Sequence, residues 1–103
     1  MEYEIQDRDG LSEIFLKGRL TFDGNAEFRH MLRTVEAVPA RAVALDLAGL
    51  DYMDTTGMGM ILLLQDSVAA KGGSLSLRHQ TGQVQRLLSL CRFDELTSGL
   101  HAN

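Results

Sequence analysis

The residues of this chain best placed to do chemistry stand together in AVALDLAGLDYMDTTGMGMILLLQDSVAAK, residues 42–71. Two adjacent hydroxyls, Thr55 and Thr56, follow the carboxylates of Asp51 and Asp54 and precede Gly57. Val43, Leu45 and Leu47 alternate with smaller or polar neighbours, whereas Met58, Ile61, Leu64 and Val68 recur at helical spacing, so the apolar period switches from two to 3.6 across the acidic turn. Side-chain oxygens at a helix start accept hydrogen bonds from the orphan N–H groups of the first turn, and a bare helix N-terminus also favours anionic groups. The turn therefore has two readings. It is an ordinary cap, which spacing alone favours, or it holds a hydroxyl where a phosphoryl group can be attached and stabilised.

Other chemistries find less support. Gly57-Met58-Gly59 starts a dinucleotide-binding fingerprint, but G-x-G-x-x-G needs a third glycine where Leu62 stands. No lysine followed by Ser or Thr lies near the turn, so a phosphate-cradling loop of the Walker type is excluded. Asp46, Asp51 and Asp54 lack paired histidines, and alternate strand positions point to opposite faces, which argues against a divalent metal. His30, His79 and His101 stand at no recognisable spacing from a nucleophile and are expected on the surface. Cys91, the single cysteine, falls on an apolar helix face, where it reads as a small core residue. No catalytic constellation and no cofactor are expected. Met53 reads as core filling. Met58 and Met60 are expected to face a partner, because the stretch from Met58 to Leu64 is nearly all apolar and one helix face cannot bury it all.

The elements that must position this turn follow from the rest of the pattern. Tyr3 and Ile5 alternate with polar neighbours, Asp9-Gly10 is a turn signal, and Ile14 to Leu16 form a second apolar run, giving an opening hairpin that Gly18 ends. Thr21 or Asp23 is expected to cap a helix whose buried face is Phe28, Met31, Leu32, Val35 and Val38, stopped by Pro39. Gly72-Gly73 ends the helix after the turn, Leu75 and Leu77 mark another strand, and Thr81 opens a last helix with Val84, Leu87, Leu88 and Cys91 on one face. Beyond Phe93 the signal weakens, and residues 100–103 read as a loose tail after a single domain over 1–99. The order ββαβαβα implies an α/β fold with a mixed, largely parallel sheet, whose strand-to-helix turns form the functional edge.

Bulk properties agree with a single binding domain. The chain has 103 residues, 45% apolar and 23% charged, and a formal charge of −4. Its scattered Lys and Arg argue against a nucleic-acid partner, and no apolar run is long enough to cross a bilayer. The acidic start MEYEIQDRDG is unlike a secretory signal, so a cytoplasmic, disulfide-free protein is expected.

The segment LDLAGLDYMDTTGMGMILLL resembles the signature of STAS domains, particularly bacterial anti-sigma factor antagonists, in which a strand leads to an Asp-Ser/Thr-Ser/Thr-Gly-hydrophobic-Gly turn. The likeness extends to KGRLTFD after the hairpin, to Gly72-Gly73 and to VQRLLSLCRFDEL. It implies a STAS-like fold and a non-enzymatic partner switch. The hydroxyl directly after the motif aspartate, here Thr55, would be the phosphoacceptor, with Thr56 as second choice. Partner contacts would fall on Asp23, Asp51, Asp54, Thr56, Gly57, Met58, Gly59 and Met60. The implied partners are an anti-sigma factor or similar serine/threonine kinase and a PPM-type phosphatase. STAS domains also serve stressosomes, two-component output pathways, lipid-transport complexes and anion transporters. An uncovered sheet face would suit a homodimer.

Overall fold

The computed structural model describes residues 1–38 and 42–90. Strand β1 (Glu2–Arg8) and strand β2 (Leu11–Leu20) form the opening hairpin. A short 3-10 turn, Phe22–Gly24, leads into helix α1 (Asn25–Glu36), followed by strand β3 (Ala42–Met53), helix α2 (Thr55–Ala70), strand β4 (Ser74–Arg78) and helix α3 (Gly82–Leu90). The sheet order is β1-β2-β3-β4, antiparallel in the hairpin and parallel thereafter, which is the expected mixed α/β architecture.

Two parallel crossovers step in the same direction along the sheet, so right-handedness places α1 and α2 on one face. Register shows which face is apolar. Ile5, Ile14, Leu45 and Leu77 are consecutive partners across the four strands and share the helix-covered side, with Leu16, Val43 and Leu75 beside them. Phe28, Met31 and Val35 of α1 and Met60, Ile61, Leu64 and Val68 of α2 close this core.

The opposite face reads differently. Gln6, Glu13, Ala44 and Ser76 are partners there, and the buried Glu13 carboxylate accepts from Arg8 at 2.6 Å and Arg78 at 3.4 Å. A buried carboxylate needs such compensation, because desolvation of an unpaired charge outweighs most single contacts.

Helix α2 ends as the sequence requires. Gly72, at φ +78°, donates to Ala69 O at 2.9 Å and Gly73 donates to Val68 O at 3.0 Å, the paired bonds of a Schellman stop. Lys71 then ties α2 to the end of α1 through the carbonyls of Glu36 and Val38.

Two local expectations are corrected. Gly18 does not end β2, which continues to Leu20; a register shift beside Gly18 lets the strand stay paired with the far end of β3. Neither Thr21 nor Asp23 caps α1: the 3-10 turn intervenes, Gly24 occupies the N-cap position, and no side-chain cap bond is made.

In α3, Val84 and Leu88 are buried and Leu87 partly so. Cys91, His101 and the expected tail lie outside the described residues, as does Pro39. Among the described residues no helix is long and apolar enough to cross a membrane, and no group of three or more His, Cys, Asp or Glu side chains is placed to hold a metal ion.

Candidate functional site

The acidic turn lies at the carboxyl end of β3, and its shape is fixed from three directions. Asp54 stands at the N-cap of α2, where its Oδ1 accepts from Gly57 N at 2.8 Å. Its own N–H donates to Leu20 O at 3.3 Å, joining the turn to the end of β2. From the other side, Gln83 of α3 reaches Met53: the Met53 N–H donates to Oε1 at 3.0 Å, and Nε2 donates to Met53 O at 2.7 Å. The paired register of β4 stops at Arg78 opposite Asp46, so this part of β3 has run past β4. The Gln83 amide supplies the donor and acceptor that another strand would have offered.

Gly57 makes the approach of α2 to β2 possible. A Cβ there would lie 2.2 Å from Leu20 O and 2.8 Å from Met53 Cγ, so any larger residue pushes the helix start off the sheet. Gly57 is accordingly buried, and Met60 is only 4% exposed within the core. Both leave the set of expected surface contacts. On α2 they project toward the sheet, opposite the outward line of Thr55, Gly59 and Leu62.

What remains outside is a continuous stripe. Thr55 and Thr56 are exposed, Met58 and Gly59 partly so, and Leu62 and Leu63 are 39% and 47% exposed. Thr55, Gly59, Leu62, Leu63 and Asp66 follow helical spacing along one side of α2. The apolar surface expected at Met58 and Met60 is thus carried in part by Met58 and otherwise by Leu62 and Leu63, two and three residues beyond Met60. Asp51 and Asp23 are exposed, and Asp23 stands three residues past Leu20, beside the exposed Phe22. Arg19 lies over the Tyr52 ring, 4.5 Å from its centroid.

Because Asp54 does the capping, the Thr55 hydroxyl at the first helical position is not required for it. The N–H groups of Thr55 and Thr56 have no intrahelical acceptor, and the helix dipole adds a partial positive charge at that point. An anion attached to Thr55 would therefore be stabilised locally by the helix while meeting Asp54 and Asp51 as like charges. His30 and His79 take no part: both are exposed, His30 beside Tyr3 with ring centroids 6.3 Å apart and His79 within 2.9 Å of Asp46.

Gln83, Phe22, Leu62 and Leu63 were not picked out by sequence. Gln83 acts across thirty positions, and no local pattern marks it.

A family model described as "Mlab, STAS domain" matches residues 5–98. A STAS-domain containing protein of Pseudomonas aeruginosa (strain UCBPP-PA14) is 31% identical over 83 residues, covering 81% of this chain and 81% of that one. The anti-sigma factor antagonist SpoIIAA in its unphosphorylated form superposes with a TM-score of 0.76 at 18% identity, over 91% of this chain and 84% of the other. An anti-sigma factor antagonist from Mycobacterium paratuberculosis gives 0.78 at 15%, over 92% and 80%. A sulfate transporter family protein from Wolinella succinogenes gives 0.72 at 22%, over 85% and 71%. At these identities the structures share the fold. With the family match running through both the hairpin and the Asp54-Thr55-Thr56-Gly57 turn, the chain belongs to the STAS domain family.

Proposed function

We propose that this STAS protein is a non-enzymatic, cytoplasmic anti-sigma factor antagonist that works as a phosphorylation-controlled partner switch. Unphosphorylated, it binds a serine/threonine kinase that is, or resembles, an anti-sigma factor. Phosphorylation of Thr55 releases it, and a PPM-type phosphatase restores the binding form. The observation that carries this reading is an exposed Thr55 hydroxyl at the first position of α2, left free of capping by Asp54. Support also comes from the likeness of the fold to two anti-sigma factor antagonists.

The contact surface in this reading is the Thr55–Leu63 stripe with Thr56, Met58, Gly59, Asp51 and Asp23 around it. A phosphate would add about 1.5 to 2 negative charges at its head, next to Asp54. A penalty of about 3 kcal/mol at the interface lowers affinity on the order of a hundredfold, whereas the helix terminus returns only about 0.3 to 1 kcal/mol within the domain. The interface is lost and the fold is kept.

The test compares wild type, Thr55→Ala and Thr55→Asp as baits in extracts of the native host, with captured proteins identified by mass spectrometry and the phosphosite mapped. The expected result is a protein kinase held by wild type and Thr55→Ala, absent from Thr55→Asp, and phosphate on Thr55. Equal capture of the kinase by Thr55→Ala and Thr55→Asp removes the electrostatic switch.

A second reading, an accessory subunit of a membrane transporter or lipid-transport complex, draws on the Mlab description of the family model and on the transporter-family likeness. In that case Leu62 and Leu63 contact a membrane-bound partner, and the bait recovers transporter subunits from the membrane fraction irrespective of residue 55.

A further inference from the structure

We propose that the outer edge of β1 is a self-association surface, on which a second copy of this chain pairs antiparallel with Ile5 facing Ile5 across a two-fold axis. The inference stands on the hairpin geometry and does not depend on phosphorylation.

The hairpin turn has two residues, Asp9 and Gly10, at φ 48° and 81°, the double positive φ of a type I′ turn. Arg8 and Leu11 on either side therefore exchange both backbone hydrogen bonds. Bonded and non-bonded pairs alternate from there, and the register runs unbroken to Glu2 opposite Lys17. Arg8, Gln6, Glu4 and Glu2 thus turn their backbone groups toward β2, while Tyr3 and Ile5 turn theirs away. β1 is the terminal strand of the sheet, so among the described residues no strand meets those outward groups.

A strand edge of seven residues without proline is a template for pairing, and charge decides with what. In the register centred on Ile5, Glu2 faces the second copy's Arg8 and, by symmetry, Arg8 faces the second copy's Glu2. Glu4 faces Gln6, and the partly exposed Ile5 side chains meet on the helix-covered side of the sheet. Most other registers that bring the outward groups together are penalised. Centring on Tyr3 sets Glu2 against Glu4, centring on Glu4 sets two glutamates against each other and centring on Asp7 two aspartates, and like charges directly opposite are destabilising. Centring on Gln6 sets Glu4 against Arg8 but faces each Ile5 with the second copy's Asp7, so only the register centred on Ile5 joins the apolar Ile5 side chains and opposes no like charges. It makes one continuous eight-stranded sheet of the two. The two-fold axis then sends the two Thr55 turns to opposite ends, each open to its own partner.

The experiment is sedimentation equilibrium on the full chain between about 10 μM and 1 mM. The expected mass moves from 11.4 kDa toward twice that value as concentration rises. Ile5→Pro removes an outward N–H without touching a bond to β2, which an edge strand tolerates, and is expected to stay monomeric with an unchanged circular dichroism spectrum. Cross-linking reads the register independently, in a Cys91→Ser background. Glu4 and Gln6 of the two copies form a non-bonded pair with Cα atoms about 4.5 Å apart, within disulfide reach. A mixture of Glu4→Cys and Gln6→Cys chains is expected to form a heterodimeric disulfide that neither chain forms alone. A monomer throughout the range, a dimer indifferent to a folded Ile5→Pro, or cross-linking without preference for the mixture would overturn the proposal. If Ile5→Pro fails to fold, the cross-linking comparison alone decides.

Discussion

Helices α1 and α2 start in opposite ways. The first is entered through a 3-10 turn, has Gly24 at its N-cap and makes no side-chain cap bond. Its amphipathic pattern, with Phe28, Met31 and Val35 inward and Glu27, Arg29 and Arg33 outward, is enough to dock it. The second has a run of apolar residues that defines no single face, yet its first turn is held by Asp54, by Leu20 O and, through Met53, by Gln83. A helix with clear sidedness does not need a fixed start. One without it gains its orientation from the turn, and the same fixing leaves Thr55 in a defined, exposed position.

Substitutions at the two starts can break that comparison. The largest effect is expected from Gly57→Ala, whose Cβ would meet the Leu20 carbonyl; a loss of about 3 kcal/mol in urea unfolding is expected from overpacking against backbone. Gln83→Ala comes next. It strips Met53 of both partners and should lower stability by about 2 kcal/mol, with faster amide exchange at Met53 and Asp54. Asp54→Ala removes the cap for about 1 kcal/mol, whereas Thr21→Ala, at a position that makes no cap bond, should stay within about 0.5 kcal/mol of wild type. If Thr21→Ala matched Asp54→Ala, the contrast between the two helix starts would fail. One further substitution has the opposite sign. Gly59→Ala meets nothing within 4 Å and should raise stability by about 0.5 to 1 kcal/mol, while placing a methyl group in the proposed contact stripe.

Much of the fold was legible because its signals are local. The change of apolar period at Asp54, the glycine pair at Gly72 and the turn at Asp9-Gly10 each act within a few residues, and each appears where the pattern puts it. Legibility fell where two local solutions were close in energy. Gly18 reads as a strand end, but a register shift allowed β2 to keep pairing through Leu20, where the turn needs its carbonyl. Thr21 and Asp23 are good caps by type, yet the chain entered α1 by a tighter turn. In the candidate site, Asp54, Thr55 and Thr56 could be named from residue type and order, whereas Gly57 and Met60 were expected on the surface and lie inside.

Sequence alone determined that strands alternate with helices, that an acidic, hydroxyl-bearing turn opens the central helix, and that this turn resembles the STAS signature. Each of these follows from backbone preferences and apolar period, which neighbouring residues set among themselves. Tertiary structure alone decided which apolar residues of α2 face inward, that Gln83 completes the unpaired end of β3, and that Glu13 is buried between two arginines. An apolar run at helical spacing does not say which side will meet the sheet. The docking surface selects it, and that surface is assembled from residues far apart in the chain.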